Sequence, residues 1–425
     1  MPLAYFVDEI ESPFVINDIK RVASKVDIIY LFSVEVLEGK DALPRNVIVF
    51  EEFVDWNNYK PLNLVLKNLF PILGIYISEC FEIKKILTFK KSIALLASNI
   101  FKAECIRIRL NCKGERLKDK PEENIPVSIE THSSLKPNSS SLIGYSFWFY
   151  DCLYLAWMHK KGWINKAVSR AHSGDLYEDH VSIRNKILFR NFQFKNFDKI
   201  FPVSNMGKKY LHDRYLNFKE KIETIYLGSN ENGINQFNTE TVFTIVSCAS
   251  FRHHKRIHKI AEMLQFVDFP LRWYHIGDER LNSNDPKLEE YNINKEKLKE
   301  NNNIEFIQLG SMKNEEIFTF YKNQSINLFI SLSAIEGIPV SMMEAISFGI
   351  PVISTDVGGC KEIVTEETGI LIPLETEMKE VAQFITEFNN SPKNTIEFRK
   401  GVRQFWEEYF DAEKNYNLFY KSIEN

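Results

Sequence analysis

Two glutamates eight positions apart stand out in the stretch Ser331 to Pro351, S-L-S-A-I-E-G-I-P-V-S-M-M-E-A-I-S-F-G-I-P. Glu336 precedes Gly337, and Glu344 falls about two turns into the helix that this pattern predicts. Pro339 suits the first position of that helix, where no N–H is needed, and Gly349 followed by Pro351 suits its end. The Glu336-Gly337 turn then aims backbone N–H groups of a helix N-terminus at the carboxyl end of the preceding strand, where anions are favoured. Ionised carboxylates only accept hydrogen bonds, so the pair suits a ligand rich in hydroxyls. A capping carboxylate beside a solvated helix glutamate is the plain alternative, but it does not account for the run that begins at Pro351. That run is P-V-I-S-T-D-V-G-G-C-K-E-I-V, in which a buried strand leads into Gly358-Gly359, a turn whose missing side chains would let a phosphate or ring approach the backbone.

Upstream, T-I-V-S-C-A-S-F-R-H-H-K-R-I, from Thr244 to Ile257, reads as a strand, a loop and a basic helix start. Its Arg252, Lys255 and Arg256 could neutralise an anion, or could be the solvated start of a helix. Ile276-Gly277-Asp278 and Leu309-Gly310-Ser311-Met312 are two further turns after strands, and either could simply be a turn. In the first half, Val168-Ser169-Arg170-Ala171-His172 leads into Ser173-Gly174-Asp175-Leu176-Tyr177-Glu178. A lone histidine is more often structural, but a place directly after a sheet strand makes His172 a candidate site residue.

These residues need elements to hold them. Short apolar, β-branched runs alternate with longer helical stretches, predicting strands at 3–7, 27–32, 46–50, 141–147, 167–169 and 199–202, then at 241–247, 272–276, 304–308, 326–331 and 352–354. Strands separated by helices are βαβ units with parallel pairing, and two series imply two doubly wound α/β domains. The break is expected near Lys221 to Gly228, and the polar stretch Lys113 to Ser141 is expected to be an exposed loop.

The run E-G-I-P-V-S-M-M-E-A-I-S-F-G-I-P-V-I-S-T-D-V-G-G-x-x-E-I-V closely resembles the E-x7-E signature of family 4 retaining glycosyltransferases of the polysaccharide-biosynthesis type. The match is nearly continuous from Asn327 to Leu371 and extends more weakly over most of the chain. It implies the GT-B fold: two Rossmann-like domains facing a cleft, here residues 1–222 on the acceptor side and 223–398 on the nucleotide-sugar side, with 399–425 as a C-terminal helix crossing back. The resemblance further implies that Glu344 grips the ribose, that Glu336, Gly337 and Ile338 contact the transferred sugar and diphosphate, and that Lys255 neutralises the leaving group. Where the family usually places an arginine this chain has Ala249 or Ser250, leaving Arg252 or Arg256 as the substitute. The segment from Arg170 to Glu178 resembles the family's R-x-H-G-x-D-x-Y-E stretch, with Ser173-Gly174 replacing the usual order, and implies that His172 is close to the sugar and the reacting centre, with Asp175 and Arg170 nearby. Phe201-Pro202-Val203-Ser204-Asn205-Met206-Gly207 resembles a cleft-lining segment. Asp8 to Ile19 resembles a loop on the acceptor side, without the Gly-Gly pair of many relatives.

Implied function is retaining transfer of a sugar from a UDP- or GDP-sugar to an acceptor hydroxyl in bacterial capsule, O-antigen or exopolysaccharide assembly. His172, Glu336 and Lys255 are then the candidate catalytic residues, and Glu344, Gly337, Ile338, Arg256, Arg252, Gly277 and Ser311 bind the donor. No Asp-x-Asp occurs in the chain, so protein cations rather than a metal are expected at the diphosphate. The alternative is a non-catalytic GT-B partner subunit of an active transferase, suggested by the missing arginine.

The chain has 425 residues, 44% hydrophobic and 26% charged, with a net charge of −4. Those values exclude a disordered or fibrous chain and leave no basic footprint for nucleic acid. Six scattered cysteines without a C-x-x-C pair, and a start with neither a basic nor a long apolar segment, lead us to expect a cytoplasmic protein. Charge is uneven: Lys60 to Lys118 holds twelve Lys or Arg against four Glu, interleaved with Leu, Ile and Phe. That stretch reads either as an interfacial surface docking on anionic lipid at the inner face of the cell membrane, or as core-packing helices with solvated lysines. The first reading would suit a lipid-linked saccharide acceptor.

Overall fold

In the computed structural model, which describes residues 1–7, 13–33, 42–50, 66–83, 89–111, 141–149, 152–178, 188–238, 242–278 and 287–424, the chain forms two units. One contains Met1–Val203, Gly207–Thr224 and Phe419–Asn425; the other contains Ser204–Met206 and Ile225–Leu418. Each is built on a six-stranded sheet whose strands pair in parallel. The first comprises β1 (Pro2–Val7), β2 (Ile28–Ser33), β3 (Val47–Phe50), β4 (Ile143–Ser146), β5 (Lys166–Ala171) and β6 (Lys199–Pro202). The second comprises β7 (Phe243–Cys248), β8 (Leu271–Ile276), β9 (Ile304–Gly310), β10 (Leu328–Ser331), β11 (Val352–Thr355) and β12 (Gly369–Ile372).

The orders are β3-β2-β1-β4-β5-β6 and β9-β8-β7-β10-β11-β12, the same doubly wound arrangement twice. Strand order reverses between β1 and β4 and again between β7 and β10, and α/β sheets bind ligands outside the carboxyl ends at such points. The eleven expected strands all occur. β12, four residues long and opened by a glycine, is the one that apolar runs did not reveal.

In the first unit the helix Leu153–Lys160 buries six consecutive residues, Leu153 to Met158, so it is covered on every side rather than along one stripe. The same unit holds a buried charge cluster. Asp18 accepts from the hydroxyls of Tyr5 at 2.6 Å and Tyr145 at 2.9 Å, and Arg170 Nε stands 3.5 Å from its other oxygen. The Arg170 guanidinium lies 4.4 Å over the ring of Phe419. A pair so completely removed from water survives only with its remaining polar atoms engaged, and the two tyrosines do that for Asp18. Another buried carboxylate, Glu79, accepts the backbone N–H of Phe192 in the helix Arg190–Asn196, which has no side-chain cap of its own. Burial pushes Glu79 up to about 7 against the pull of the backbone N–H groups of Phe192 and Asn191.

The basic, apolar window proves to contain two helices, Leu69–Ile83 and Phe89–Asn111. They bury Ile72, Ile75, Leu96, Ile100, Phe101 and Ile106 in the core, yet leave Phe70 86% and Ile77 67% exposed. The window thus contributes helices to the core, and its residues 60–65, 84–88 and 112–118 lie outside the described ones. Positions 8–12 of the N-terminal loop and most of the polar stretch after Lys113 are outside them too. Among the described residues, no helix is long and apolar enough to cross a membrane.

The division differs from the expected boundaries at the C-terminus. Residues 399–425 are not one returning helix: Ile396–Tyr409 and Ala412–Glu424 are separate, and the chain rejoins the first unit only at Phe419. The reason is packing. Arg399, 5% exposed, donates to the carbonyls of Ile326 at 2.6 Å and Asn327 at 2.8 Å, while buried Trp406 donates to Ser229 Oγ at 2.8 Å. Those contacts hold Ile396–Tyr409 against the second unit.

Within the second sheet, Ser247 Oγ accepts from Trp273 Nε1 at 2.9 Å and lies 2.8 Å from His275 Nδ1. Burial pulls His275 down to about 4 from an ordinary 6.5. Between those values the unfolded chain takes a proton that the folded chain refuses, so this contribution is complete above pH 6.5 and is lost as pH falls toward 4. Its size is on the order of 3 kcal/mol at about 1.4 kcal/mol per pH unit. Urea unfolding from pH 7.5 to 4.5 should show a midpoint falling below pH 6.5 in wild type and a shallower fall in His275→Gln. Equal slopes would remove His275 as the cause.

Candidate functional site

The loops that leave β7 and β10 flank the reversal point of the second sheet, and they carry the basic segment and the first glutamate. After β7 the chain passes Ala249 to Arg252, makes one short helical turn at His253–Lys255, and enters the helix Ile257–Met263 through Arg256 in a left-handed conformation. After β10 it passes Leu332 to Pro339 and enters the helix Val340–Ser347, which no side chain caps. Pro339 is the residue before that helix rather than its first member. The two loops are tied by a 2.7 Å hydrogen bond from Ala334 N–H to the His254 carbonyl.

That tie brings Lys255 Nζ to 2.6 Å from Glu336 Oε1, with the side chains 24% and 10% exposed. A charge-assisted bond of this length, largely shielded from water, is stronger than a surface ion pair. Burial and the adjacent Lys255 hold His254 below the ordinary histidine value. Arg256 Nη1 donates to the Leu374 carbonyl at 3.1 Å, beyond β12, whereas Arg252 is exposed on the loop itself. The structure thus separates two arginines that sequence left as equals.

Gly358 and Gly359 have a role different from the expected one. A Cβ on Gly358 would stand 1.8 Å from the Glu336 carbonyl oxygen, and one on Gly359 would stand 2.5 Å from that of Gly337. Gly359 N–H donates to the Gly337 carbonyl at 2.6 Å. The space left by the missing side chains is taken by the chain's own Glu336-Gly337 backbone, not kept for a ligand. Gly358 also has φ +56°, disfavoured for other residues. Gly337 and Ile338 are consequently fixed in the same turn, with Ile338 buried against it.

Of the remaining donor-side candidates, Glu344 and Gly277 lie beside the end of β7, and Ser311 is not tied to this centre. Glu344, partly exposed on the second turn of its helix, is close enough to Cys248 at the end of β7 to act on its thiol electrostatically. Burial, with Glu344 adding to it, pushes Cys248 up to about 12, and burial likewise raises Cys360 to about 12, with Glu336 adding to it. Both thiols therefore stay protonated and unreactive at neutral pH. Gly277 carries a backbone role like that of Gly358: a Cβ there would lie 2.0 Å from the Ala249 carbonyl, and its N–H donates to Gly310 at 2.8 Å. Ser311, exposed just beyond Gly310, is not brought against Lys255 or Glu336 by any described contact.

In the first unit, His172 follows β5 and its ring packs against both Phe147 and Trp148, with centroids 4.4 and 4.7 Å away. Neither ring nitrogen has a hydrogen-bond partner among the described residues, and the side chain is 12% exposed. Asp175 is fully buried and accepts the backbone N–H groups of Phe149, at 2.6 Å, and of His172. It positions the histidine backbone and is not presented to a ligand. Arg190 completes the frame, donating to the carbonyls of Phe149 and Asp175. Arg170, expected beside the reacting centre, is turned into the core against Asp18 and Phe419. The aromatic pair around His172 was missed in the sequence, although its place directly after β4, at the reversal point, was a usable signal.

Gly358→Ala should lower stability by about 2–4 kcal/mol, combining left-handed strain with displacement of the Glu336 turn. Gly401→Ala, in an open helical position, should be neutral or stabilising by up to about 1 kcal/mol. Paired urea unfolding curves check both, and an unchanged midpoint for Gly358→Ala would show that the turn is not clamped.

Residues 230–405 match the family model for glycosyl transferases group 1. The O-antigen biosynthesis glycosyltransferase WbnH of Escherichia coli is 31% identical over 137 residues, covering 32% of this chain and 35% of WbnH. The chain thus spans about a third of that relative's length. An uncharacterised glycosyltransferase of Methanocaldococcus jannaschii, MJ1178, is 26% identical over 257 residues, 56% of this chain and 68% of that protein. Among solved structures, Anabaena HepE in complex with UDP has a TM-score of 0.67 at 14% identity, covering 100% of both chains. The fold of the whole chain is therefore that of the GT-B glycosyltransferases, and most of its second unit matches the group 1 family.

Proposed function

We propose that the protein is a retaining glycosyltransferase of family 4 that moves a sugar from a UDP- or GDP-sugar to an acceptor hydroxyl in bacterial surface polysaccharide assembly. The observation that carries the reading is the meeting of Lys255, Glu336 and an uncapped helix start at the strand reversal of the second sheet. A cation and a helix N-terminus suit a diphosphate, and fixed carboxylates suit sugar hydroxyls. Two similar proteins support the same reading: WbnH is an O-antigen enzyme, and HepE was solved with UDP.

In this reading the bond from the anomeric carbon to the diphosphate oxygen breaks while the acceptor oxygen attacks from the same face. The acceptor proton passes to the departing diphosphate, so charge builds on that group. Lys255 and the helix start at Val340 stabilise it electrostatically, and protein cations take the place of a metal. Arg252 is the second cation, since Arg256 is engaged at Leu374. Glu344 holds the ribose, and His172 is the residue assigned to the sugar and acceptor chemistry.

A panel of UDP-, GDP-, ADP- and CMP-sugars should raise the unfolding temperature of wild type with one base, and Glu344→Ala should lose most of that shift. At ligand one hundred times its Kd, the stabilisation is about 2.7 kcal/mol. The released linkage should keep the donor's anomeric configuration by NMR. No shift with any donor would favour the non-catalytic subunit instead.

The acceptor in this reading is lipid-linked and met at an anionic membrane surface on the cytoplasmic side. Supporting this are Leu66, Phe70, Ile77 and Phe89, all more than half exposed, beside exposed Lys67, Lys90 and Lys91. Sedimentation with vesicles at low salt should show binding to anionic but not neutral lipid, reduced several-fold by Phe70→Asp. Indifference to both lipids would withdraw the membrane assignment.

A further inference from the structure

The contact that builds the candidate site also commits Lys255, one of the cations a diphosphate would use, to a carboxylate. Lys255 Nζ lies 2.6 Å from Glu336 Oε1, and the loop carrying Lys255 is fastened to the loop carrying Glu336 through Ala334 and His254. The Glu336 backbone cannot back away, because Gly358 and Gly359 are packed against the carbonyls of Glu336 and Gly337. Arg256, the nearest additional cation in sequence, is engaged with the Leu374 carbonyl. A diphosphate arriving at Lys255 therefore meets a fixed carboxylate already holding it, and like charges at this range oppose each other.

From this geometry we infer that Glu336 competes with the donor's diphosphate for Lys255, and that the competition makes the site favour a nucleotide-sugar over the nucleoside diphosphate left after transfer. The inference rests on the reading of this site as a nucleotide-sugar site and adds a discrimination to it. The chemistry of the partners sets the direction. A carboxylate that yields its lysine needs hydrogen-bond donors, since it has none of its own. Sugar hydroxyls supply donors; phosphate oxygens at neutral pH do not. A nucleotide-sugar compensates Glu336 for the loss of Lys255, whereas a bare nucleoside diphosphate takes the lysine and returns nothing. Once the sugar has gone to the acceptor, Glu336 recaptures Lys255 and the diphosphate product is expelled.

The test is isothermal titration of wild type and Glu336→Gln with UDP, GDP, UDP-glucose and GDP-mannose. Removing the charge while keeping the shape should tighten the bare diphosphate about five-fold, or about 1 kcal/mol. The corresponding nucleotide-sugar should weaken or stay level, so its advantage over the bare diphosphate should shrink about five- to ten-fold. Glu336→Asp, which keeps the charge, should retain the wild-type ratio within about two-fold, and serves if the Gln variant does not fold. An unchanged ratio in a folded Gln variant, or equal weakening of both ligands, overturns the inference and leaves Glu336 a structural partner of Lys255. If wild type binds none of the four, the nucleotide-sugar reading itself fails, and this inference with it.

Discussion

The approach of two backbone turns, Gly358-Gly359 against Glu336-Gly337, is the constraint on which the second unit's site depends. No side chain fits between them, and the hydrogen bond from Gly359 to Gly337 fastens the contact. The exits of β10 and β11 are locked together in consequence. The direction of the Glu336 side chain, the start of the helix Val340–Ser347 and the position of Ile338 all depend on that lock. Backbone contact is a stiff device for this purpose, because neither partner has a rotamer to change.

Electrostatics is then arranged around a fixed frame. The β7 exit is brought in through Ala334 and His254, so Lys255 meets Glu336 where the strand order reverses. Gly277 repeats the glycine device on the other side, pressed against Ala249 at the root of the basic loop. The thiols of Cys248 and Cys360, near the two glutamates, are kept protonated by burial and contribute bulk rather than reactivity. What surrounds this centre is Lys255, the exposed Arg252, two carboxylates and the start of a helix.

The first unit solves a different problem with the same sheet. A buried ion pair joins Asp18, on the helix Pro13–Ala23, to Arg170 of β5; two tyrosines donate to Asp18, and Phe419 from the far end of the chain covers Arg170. Charges so buried stabilise little in themselves. Near the strand ends, Asp175 and Arg190 hold main-chain groups, and His172 is steadied by ring contacts with Phe147 and Trp148. His172 keeps both nitrogens clear of hydrogen bonds among the described residues, in contrast to the committed Asp175 beside it.

The sequence by itself determined the two βαβ series, eleven of the twelve strands and the pairing of Glu336 and Glu344 on one turn and helix. Apolar periodicity and glycine-proline punctuation are local properties, readable without knowing what lies opposite. Short β12 escaped because four residues opened by a glycine carry too little pattern. Only the tertiary structure decided what faced what. Gly358-Gly359 had the same spelling whether a ligand or another turn filled the space, and Arg252 and Arg256 were equal until one met Leu374. Arg170 was a plausible site residue until Asp18, 152 positions away, took it into the core. Such outcomes depend on atoms from distant segments competing for the same volume or charge, and no local pattern encodes which of them wins.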